Sequence, residues 1–377
     1  MRTTASYDLF PDAPSERAMA RARWLAREGR VADAETAYRS VLATHPDLKP
    51  CWAEYFELLR TTGRAQDALR LAEDAEAQFG GGAFPLALKG AALIELARFP
   101  DALAVLERAV EADPDLALVW HELGYAAYRL GDRNRALLAL DRAFGLEPHT
   151  ETLKLRGRIL REAGRYTAAE VAFEGAAQAA EHLEQREEAE REILATQRYA
   201  FWAPRRPDDL QPAERWFADS GAVVLAPIPG PVPPSDEALA KAFVELAQDS
   251  GWRFGQVVAV GPSLSVWAPL AEALGAPLIG RDAVDPRAVP LVAALRPLAP
   301  EAGWAALVTA ITEARTGLVF VLEHSPESPG AVAADVIGVL TEGGGGQRRS
   351  CMPQPAHALA VAQHPAARIA GRRLRLP

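Results

Sequence analysis

Residues 120–132 read WHELGYAAYRLGD. Trp120, Leu123, Gly124 and Ala127 recur at the three-and-four spacing of one helix face, and Gly131 ends the run as a residue that accepts a left-handed backbone. Two tyrosines, Tyr125 and Tyr128, lie off that face. Such a segment is either one half of a lone hairpin or one unit of an array, and comparison with the rest of the chain separates the two.

The pattern returns five times, beginning near Ser15, Lys49, Ala83, Ala117 and Thr150, at spacings of 34, 34, 34 and 33 residues. The eighth position is small (Ala22, Gly90, Gly124, Gly157) where two helices must approach closely, with Phe56 as the exception. The eleventh is a core position (Leu25, Leu59, Leu93, Ala127, Leu160). The fifteenth stops the first helix with Gly29, Gly63, Gly131 and Gly164, Ala97 departing from the rule. Alanine recurs at the twentieth (Ala34, Ala68, Ala102, Ala136, Ala169), followed four residues on by Tyr38, Ala72, Leu106, Leu140 and Phe173. Pro46, Pro114 and Pro148 close three copies, where a missing N–H costs a helix end nothing.

These positions resemble those of the tetratricopeptide repeat family, and the fourth copy matches best through Trp120, Leu123, Gly124, Gly131, Ala136, Ala143 and Pro148. The resemblance covers roughly residues 15–182 and implies an α-solenoid of five helix pairs with a concave inner face. Residues 181–202, EHLEQREEAEREILATQRYAFW, suit a capping helix that carries Leu183, Ile193 and Leu194, its acidic run forming a solvated face.

The resemblance further implies that the first helix of each pair lines the groove. Its inner positions fall here on Glu16, Met19, Arg23 and Arg27, then on Glu57 and Arg60, then on Phe84, Ile94 and Glu95. The fourth copy adds Leu118, His121, Tyr125, Tyr128 and Arg129, and the fifth adds Glu151, Lys154, Arg158 and Arg161. The partner-binding set expected among them is Arg23, Arg27, Glu57, Arg60, Ile94, His121, Tyr125, Tyr128, Arg158 and Arg161. Aromatic residues and arginine dominate binding hot spots, so this groove should take a peptide with apolar side chains and some acidic character. The carboxylate clamp of chaperone co-adaptors is absent, since Met19, Arg23 and Glu54 stand at its positions.

The second half is of another kind. APRRPDDLQP (203–212) crowds three prolines among charges and is expected as part of a linker. The domains expected are thus an N-terminal extension (1–14), a solenoid with its cap (15–202), a linker (203–215) and an α/β domain (216–377). GAVVLAPIP (221–229), QVVAVGP (256–262) and GLVFVLEHS (317–325) read as strands, and residues 235–252, SVWAPLAEALG and AGWAALVTAITEAR as helices. Alternation of this kind predicts a mostly parallel sheet with ligand sites at the C-terminal strand ends.

Neither nucleotide-binding glycine fingerprint is present. VGPSLSVWAPLAEALGAPL is similar to the pyrophosphate loop of phosphoribosyltransferases, and Glu323 matches the first acid of that family's later motif. His324 replaces the second acid, while Pro326 and Pro329 stand where a phosphate loop needs backbone N–H groups, which implies a degenerate, non-catalytic relative. Glu323 and His324, with His357 and His364, are the only acid/base candidates. GGGG (343–346) reads as a loop. Arg368, Arg372, Arg373 and Arg375 near the C-terminus suggest an anionic surface or an edge strand guarded by charge.

The formal charge of −9 over 377 residues argues against nucleic acid as a partner. The most apolar region, 288–322, is broken by Arg296, Glu301, Glu313 and Arg315, and the N-terminus lacks a secretory pattern, so a cytoplasmic protein is expected. Cys51 and Cys351 suggest neither a disulfide framework nor a zinc site. No cofactor or metal is expected. The function expected is that of a scaffold or adaptor gripping a peptide or partner protein, with no membrane partner. The alternatives are an enzyme in residues 216–377 served by the repeats, and self-association with the groove filled by the protein's own tail or a second copy.

Overall fold

The computed structural model describes residues 14–261, 265–280, 283–285, 287–296, 308–310, 316–325, 334–342, 347–372 and 374. The first half is built of helix pairs: α1 (Pro14–Arg27) with α2 (Val31–Thr44), α3 (Lys49–Thr61) with α4 (Ala65–Phe79), and α5 (Ala83–Glu95) with α6 (Phe99–Ala112). α7 (Ala117–Arg129) pairs with α8 (Arg133–Leu146), and α9 (Thr150–Glu162) is followed by α10 (Tyr166–Ala179). Four of the five first helices begin on the residue that opens the sequence repeat.

The repeat positions do what their side chains allow. Gly29, Gly63, Gly131 and Gly164 all have φ between +72° and +83°, and Ala97 adopts the same left-handed turn at φ 55° despite its Cβ. The alanines at the twentieth position are fully buried, as are Leu106, Leu140 and Phe173 behind them. In the second and fourth pairs a tryptophan ties one unit to the last. The indole N–H of Trp52 donates to the carbonyl of Pro46, and that of Trp120 to the carbonyl of Pro114, both at 2.8 Å.

Close approach explains the small eighth position. A Cβ at Gly90 would lie 2.4 Å from Leu106 Cδ2, and one at Gly124 would lie 2.8 Å from Leu140 Cγ. Neither leucine has free space to retreat into, since both are wholly buried. Helix propensity favours valine over glycine, yet Gly90→Val is expected to destabilise the repeats by about 2 kcal/mol through overpacking. Urea denaturation of the full chain checks this, and a neutral or stabilising result would contradict the packing argument.

The chain divides into two compact units within α9: residues Met1–Ile159 with Gln178–Glu181, and Leu160–Ala177 with His182–Pro377. α11 (Leu183–Ala200), expected as the solenoid's cap, lies in the second unit. There it buries Ala189, Ala195, Thr196, Arg198 and Tyr199 while Leu183 and Leu194 are exposed. Glu184, Glu187 and Glu190 form the exposed acidic face.

The stretch 203–215 is not an open linker. It forms a short 3-10 turn, Pro207–Asp209, and the start of α12 (Pro212–Ser220). Leu210 is buried with Tyr166, Tyr199 and Ala218, and Arg205 pairs with Glu214 at 2.8 Å. Proline and charge density alone mimic a linker, but Leu210 and Ala213 anchor it.

The remainder of the second unit is a mostly parallel α/β sheet. β1 (Val223–Val224) and β2 (Ile228–Pro229) lead to α13 (Asp236–Asp249), whose start is capped by Ser235 Oγ accepting from the Ala238 N–H at 3.2 Å. β3 (Gln256–Val260), α14 (Trp267–Leu274), β4 (Leu278–Ile279), β5 (Pro290–Ala294), β6 (Leu318–His324) and β7 (Val336–Glu342) follow. The chain then forms β8 (Gln347–Arg348), β9 (Cys351–Met352) and α15 (Pro355–Ala362). The strand order is β1-β7-β6-β5-β3-β4, with β8 antiparallel to β7 and a separate antiparallel pair of β2 and β9.

Both faces of the sheet are covered, which is why β5 and β7 read as continuous apolar runs without alternation. Val257, Leu291, Phe320 and Val336 meet Leu239, Phe243 and Leu246 of α13, and Phe243 stacks on Phe320 at 4.3 Å. Val258, Val292, Val321 and Ile337 face the other way. The C-terminal arginines are structural rather than free. Arg368 and Arg372 both bind Asp335, which precedes β7, while Arg373 and Arg375 lie outside the described residues.

Candidate functional site

Polar contacts join the first helices of several successive pairs. Arg23 of α1 grips Glu54 of α3 through Nε and Nη2 at 2.9 and 2.7 Å, and the Tyr38 hydroxyl donates to the same carboxylate at 3.2 Å. Arg60 of α3 binds Glu57 at 2.8 and 2.9 Å and reaches Glu95 of α5 at 3.1 Å. His121 Nδ1 of α7 lies 3.0 Å from Thr152 Oγ1 of α9. Inner positions of α1 and α3, of α3 and α5, and of α7 and α9 are thus brought into contact.

On α7, Tyr125 and Tyr128 are half-buried against a cluster containing Leu155 and Ile159. The Arg129 guanidinium lies 4.4 Å over the Phe99 ring and donates to the Tyr125 hydroxyl at 2.8 Å. Tyr125 is thereby held in place while remaining half-buried. Arg27 and Arg158 are exposed, and Ile94 is half-buried at the edge of the repeat core.

Other expected residues lie elsewhere. Met19 is a core residue at 2% exposure, packed in the hydrophobic cluster of the repeats. Lys154 is buried and pairs with Glu151. Arg161 belongs to the second unit, where it binds Glu192 at 2.5 Å and stacks over Phe173 and Tyr199, so its charge is already committed.

Glu122, which the inner-position rule omits, is the least comfortable group on this surface. It is half-buried, deep among neighbouring atoms, and burial pushes its carboxyl up to about 7; Glu95 adds to the rise and Arg60 opposes it. The folded protein therefore binds more protons than the unfolded chain between the ordinary 4.5 and about 7. Its stability should fall as pH rises through that window and level off above it. Glu122→Gln removes the penalty: at pH 8 the variant should be more stable by on the order of 2 kcal/mol, and at pH 4 it should match the parent. Denaturation midpoints at the two pH values check this, and equal shifts at both would remove the titration from the explanation.

The acid/base candidates of the second half do not assemble. Glu323 accepts from Arg296 Nε at 2.7 Å and Arg348 Nε at 2.8 Å, which makes it a buried ion-pair acceptor. His324 turns to α12, its ring tilted against that of Trp216 with centroids 4.6 Å apart, and burial lowers its pKa. Adjacent strand residues face opposite ways, so the two cannot act on one substrate atom. His357 stacks on Trp202, and His364 packs edge-on against Phe201 and Phe217. Pro326, Pro329, the 343–346 glycines and residues 262–264 fall outside the described residues.

Among the described residues, no helix is long and apolar enough to cross a membrane. A family model for the tetratricopeptide repeat matches residues 117–150. The Hsp70-Hsp90 organizing protein of Triticum aestivum is 41% identical over 66 residues, covering 18% of this chain and 11% of that protein. The chain thus spans only about a tenth of that relative's length. A solved thermophilic TPR protein of Thermus thermophilus is 20% identical with a TM-score of 0.43, over 48% of this chain and 99% of its own. Pseudomonas aeruginosa pilF is 17% identical with a TM-score of 0.41, over 50% of this chain and 83% of its own. The likeness of the second half to phosphoribosyltransferases is not supported by these matches. Residues 117–150 thus match the tetratricopeptide repeat, and the first half of the chain is a succession of helix pairs.

Proposed function

We propose that this chain is an interaction scaffold whose first-helix face binds an extended or helical segment of a partner protein, and that the segment carries apolar side chains and a lysine or arginine. The observation that supports the reading is a charge imbalance around Arg60: Glu57 and Glu95 both pair with its guanidinium, and Glu122 feels the charges of Arg60 and Glu95. An acidic guest has less to meet, because Arg23, Arg60 and Arg161 already hold carboxylates. A cationic guest side chain would neutralise Glu122 and Glu95 while aromatic rings take its neighbours. The enzyme alternative loses the Glu323–His324 pair on which it rested.

Selection of peptides from a random library on the full chain tests this. Enriched peptides should carry a basic residue between apolar ones, and Glu95→Lys with Glu122→Lys should weaken them more than tenfold while Arg158→Glu should not. Enrichment of acidic peptides, or indifference to the double reversal, would overturn the reading.

A further inference from the structure

The stripe of α7 that carries Glu122 and Tyr125 continues one turn further to Arg129, an inner position outside the expected partner-binding set. Residues spaced i, i+3 and i+7 lie on one face of a helix. An acid, an aromatic ring and a base thus follow one another over two turns, about 10.5 Å from first to last at 1.5 Å per residue.

Arg129 differs from the arginines that precede it on this face. Arg23 grips Glu54, and Arg60 grips Glu57 and Glu95, so their charges are met within the protein. Among the described residues, no carboxylate lies within ion-pair distance of Arg129. Its contacts are with rings instead: the guanidinium lies 4.4 Å from the centroid of Phe99 and 5.7 Å from that of Tyr125, whose hydroxyl accepts from Nη1. Two rings therefore fix the planar group while the residue stays exposed. A side chain already fixed loses little freedom when a partner arrives, and a guanidinium fork matches a carboxylate edge to edge.

We propose that Arg129 receives an acidic side chain of the guest, so that the segment bound on this face is dipolar, with its base toward Glu122 and Glu95 and its acid on Arg129, about 10 Å away. This rests on the peptide-binding reading above. Opposite charges at the two ends of one stripe fix the register and the polarity of the guest, which a single charged contact leaves open. The spacing corresponds to three residues of a polyproline-II segment, at about 3.1 Å each, or to seven of a helix, at about 1.5 Å each. Phe99 acts through Arg129 as a positioning residue, holding the guanidinium from α6.

The test selects binders on the full chain from random dodecapeptides held between fixed glycine-serine linkers, so that no terminal carboxylate is offered. On the unsubstituted chain, Asp or Glu should be enriched about threefold or more at an offset of three or seven from the selected basic residue, and on one side of it only. On Arg129→Glu the same offset should select Lys or Arg, with the basic residue facing Glu122 retained, which also shows that the variant folds. Arg129→Lys keeps the charge without the fork, and Phe99→Leu keeps Arg129 without its ring; each should lower the acid enrichment without inverting it.

The two proposals fail in different ways. If no basic residue is selected, the peptide-binding reading falls and the dipolar guest falls with it. A basic residue selected with acids absent or scattered over all offsets, or an acid preference that survives Arg129→Glu, overturns the dipolar guest alone.

Discussion

Asp335→Ala should destabilise the α/β unit by about 3–5 kcal/mol, the cost of breaking a buried ion pair from one side. Asp335 is 1% exposed, and its carboxylate accepts from the Val319 N–H at 2.8 Å, Arg368 Nε at 3.1 Å and Arg372 Nη1 at 2.5 Å. Burial pushes this carboxyl up, and the two guanidiniums pull against it. Removing it leaves Arg372, whose side chain is buried, with the Gly317 carbonyl at 3.3 Å as its partner among the described residues. It also orphans an amide of β6. Asp335→Asn keeps an acceptor for that amide and should fall between the two. Guanidinium denaturation of the full chain decides the matter, and a loss below about 1 kcal/mol would show that the pair is solvated in solution.

Arg198→Met should cost the same unit about 3 kcal/mol. Methionine replaces the apolar stem, so packing loss is minimised and the polar loss is isolated. The guanidinium donates to three backbone carbonyls, Ala218 at 2.9 Å, Ala366 at 3.0 Å and Asp219 at 2.9 Å, which ties α11 to the end of α12 and to the C-terminal segment. Burial drags its pKa down to about 10, so it still carries its charge at neutral pH. Arg198→Lys keeps the charge without the fork and should recover only part of the loss. If Met and Lys behave alike, the three carbonyls are satisfied in some other way.

Both predictions concern groups whose roles local sequence conceals. Arg368 and Arg372 sit in an arginine-rich tail that resembles a surface feature, and their acceptor lies more than thirty residues away. Arg198 sits in a helix whose charged run suggests a cap, and one of its acceptors is the Ala366 carbonyl. The apparent linker at 203–215 belongs with them, because its anchors are two small apolar contacts, Leu210 and Ala213, made with distant parts of the chain.

The candidate surface divides in the same way. Arg23, Arg60 and His121 follow from the register of the repeat, whereas Glu122 lies one position outside the inner set. Its raised pKa arises chiefly from burial, modulated by Arg60 and Glu95 from two other helices.

What the chain of residues determined by itself is the solenoid: helix starts, left-handed turns and buried alanines repeat at one period because each unit meets only its neighbours, so local pattern and tertiary packing coincide. What only the tertiary structure decided is the second unit and the balance of charge. A parallel sheet buried on both faces erases alternation, as in β5 and β7, and ion pairs such as those of Glu54, Glu323 and Asp335 join residues that no local spacing relates.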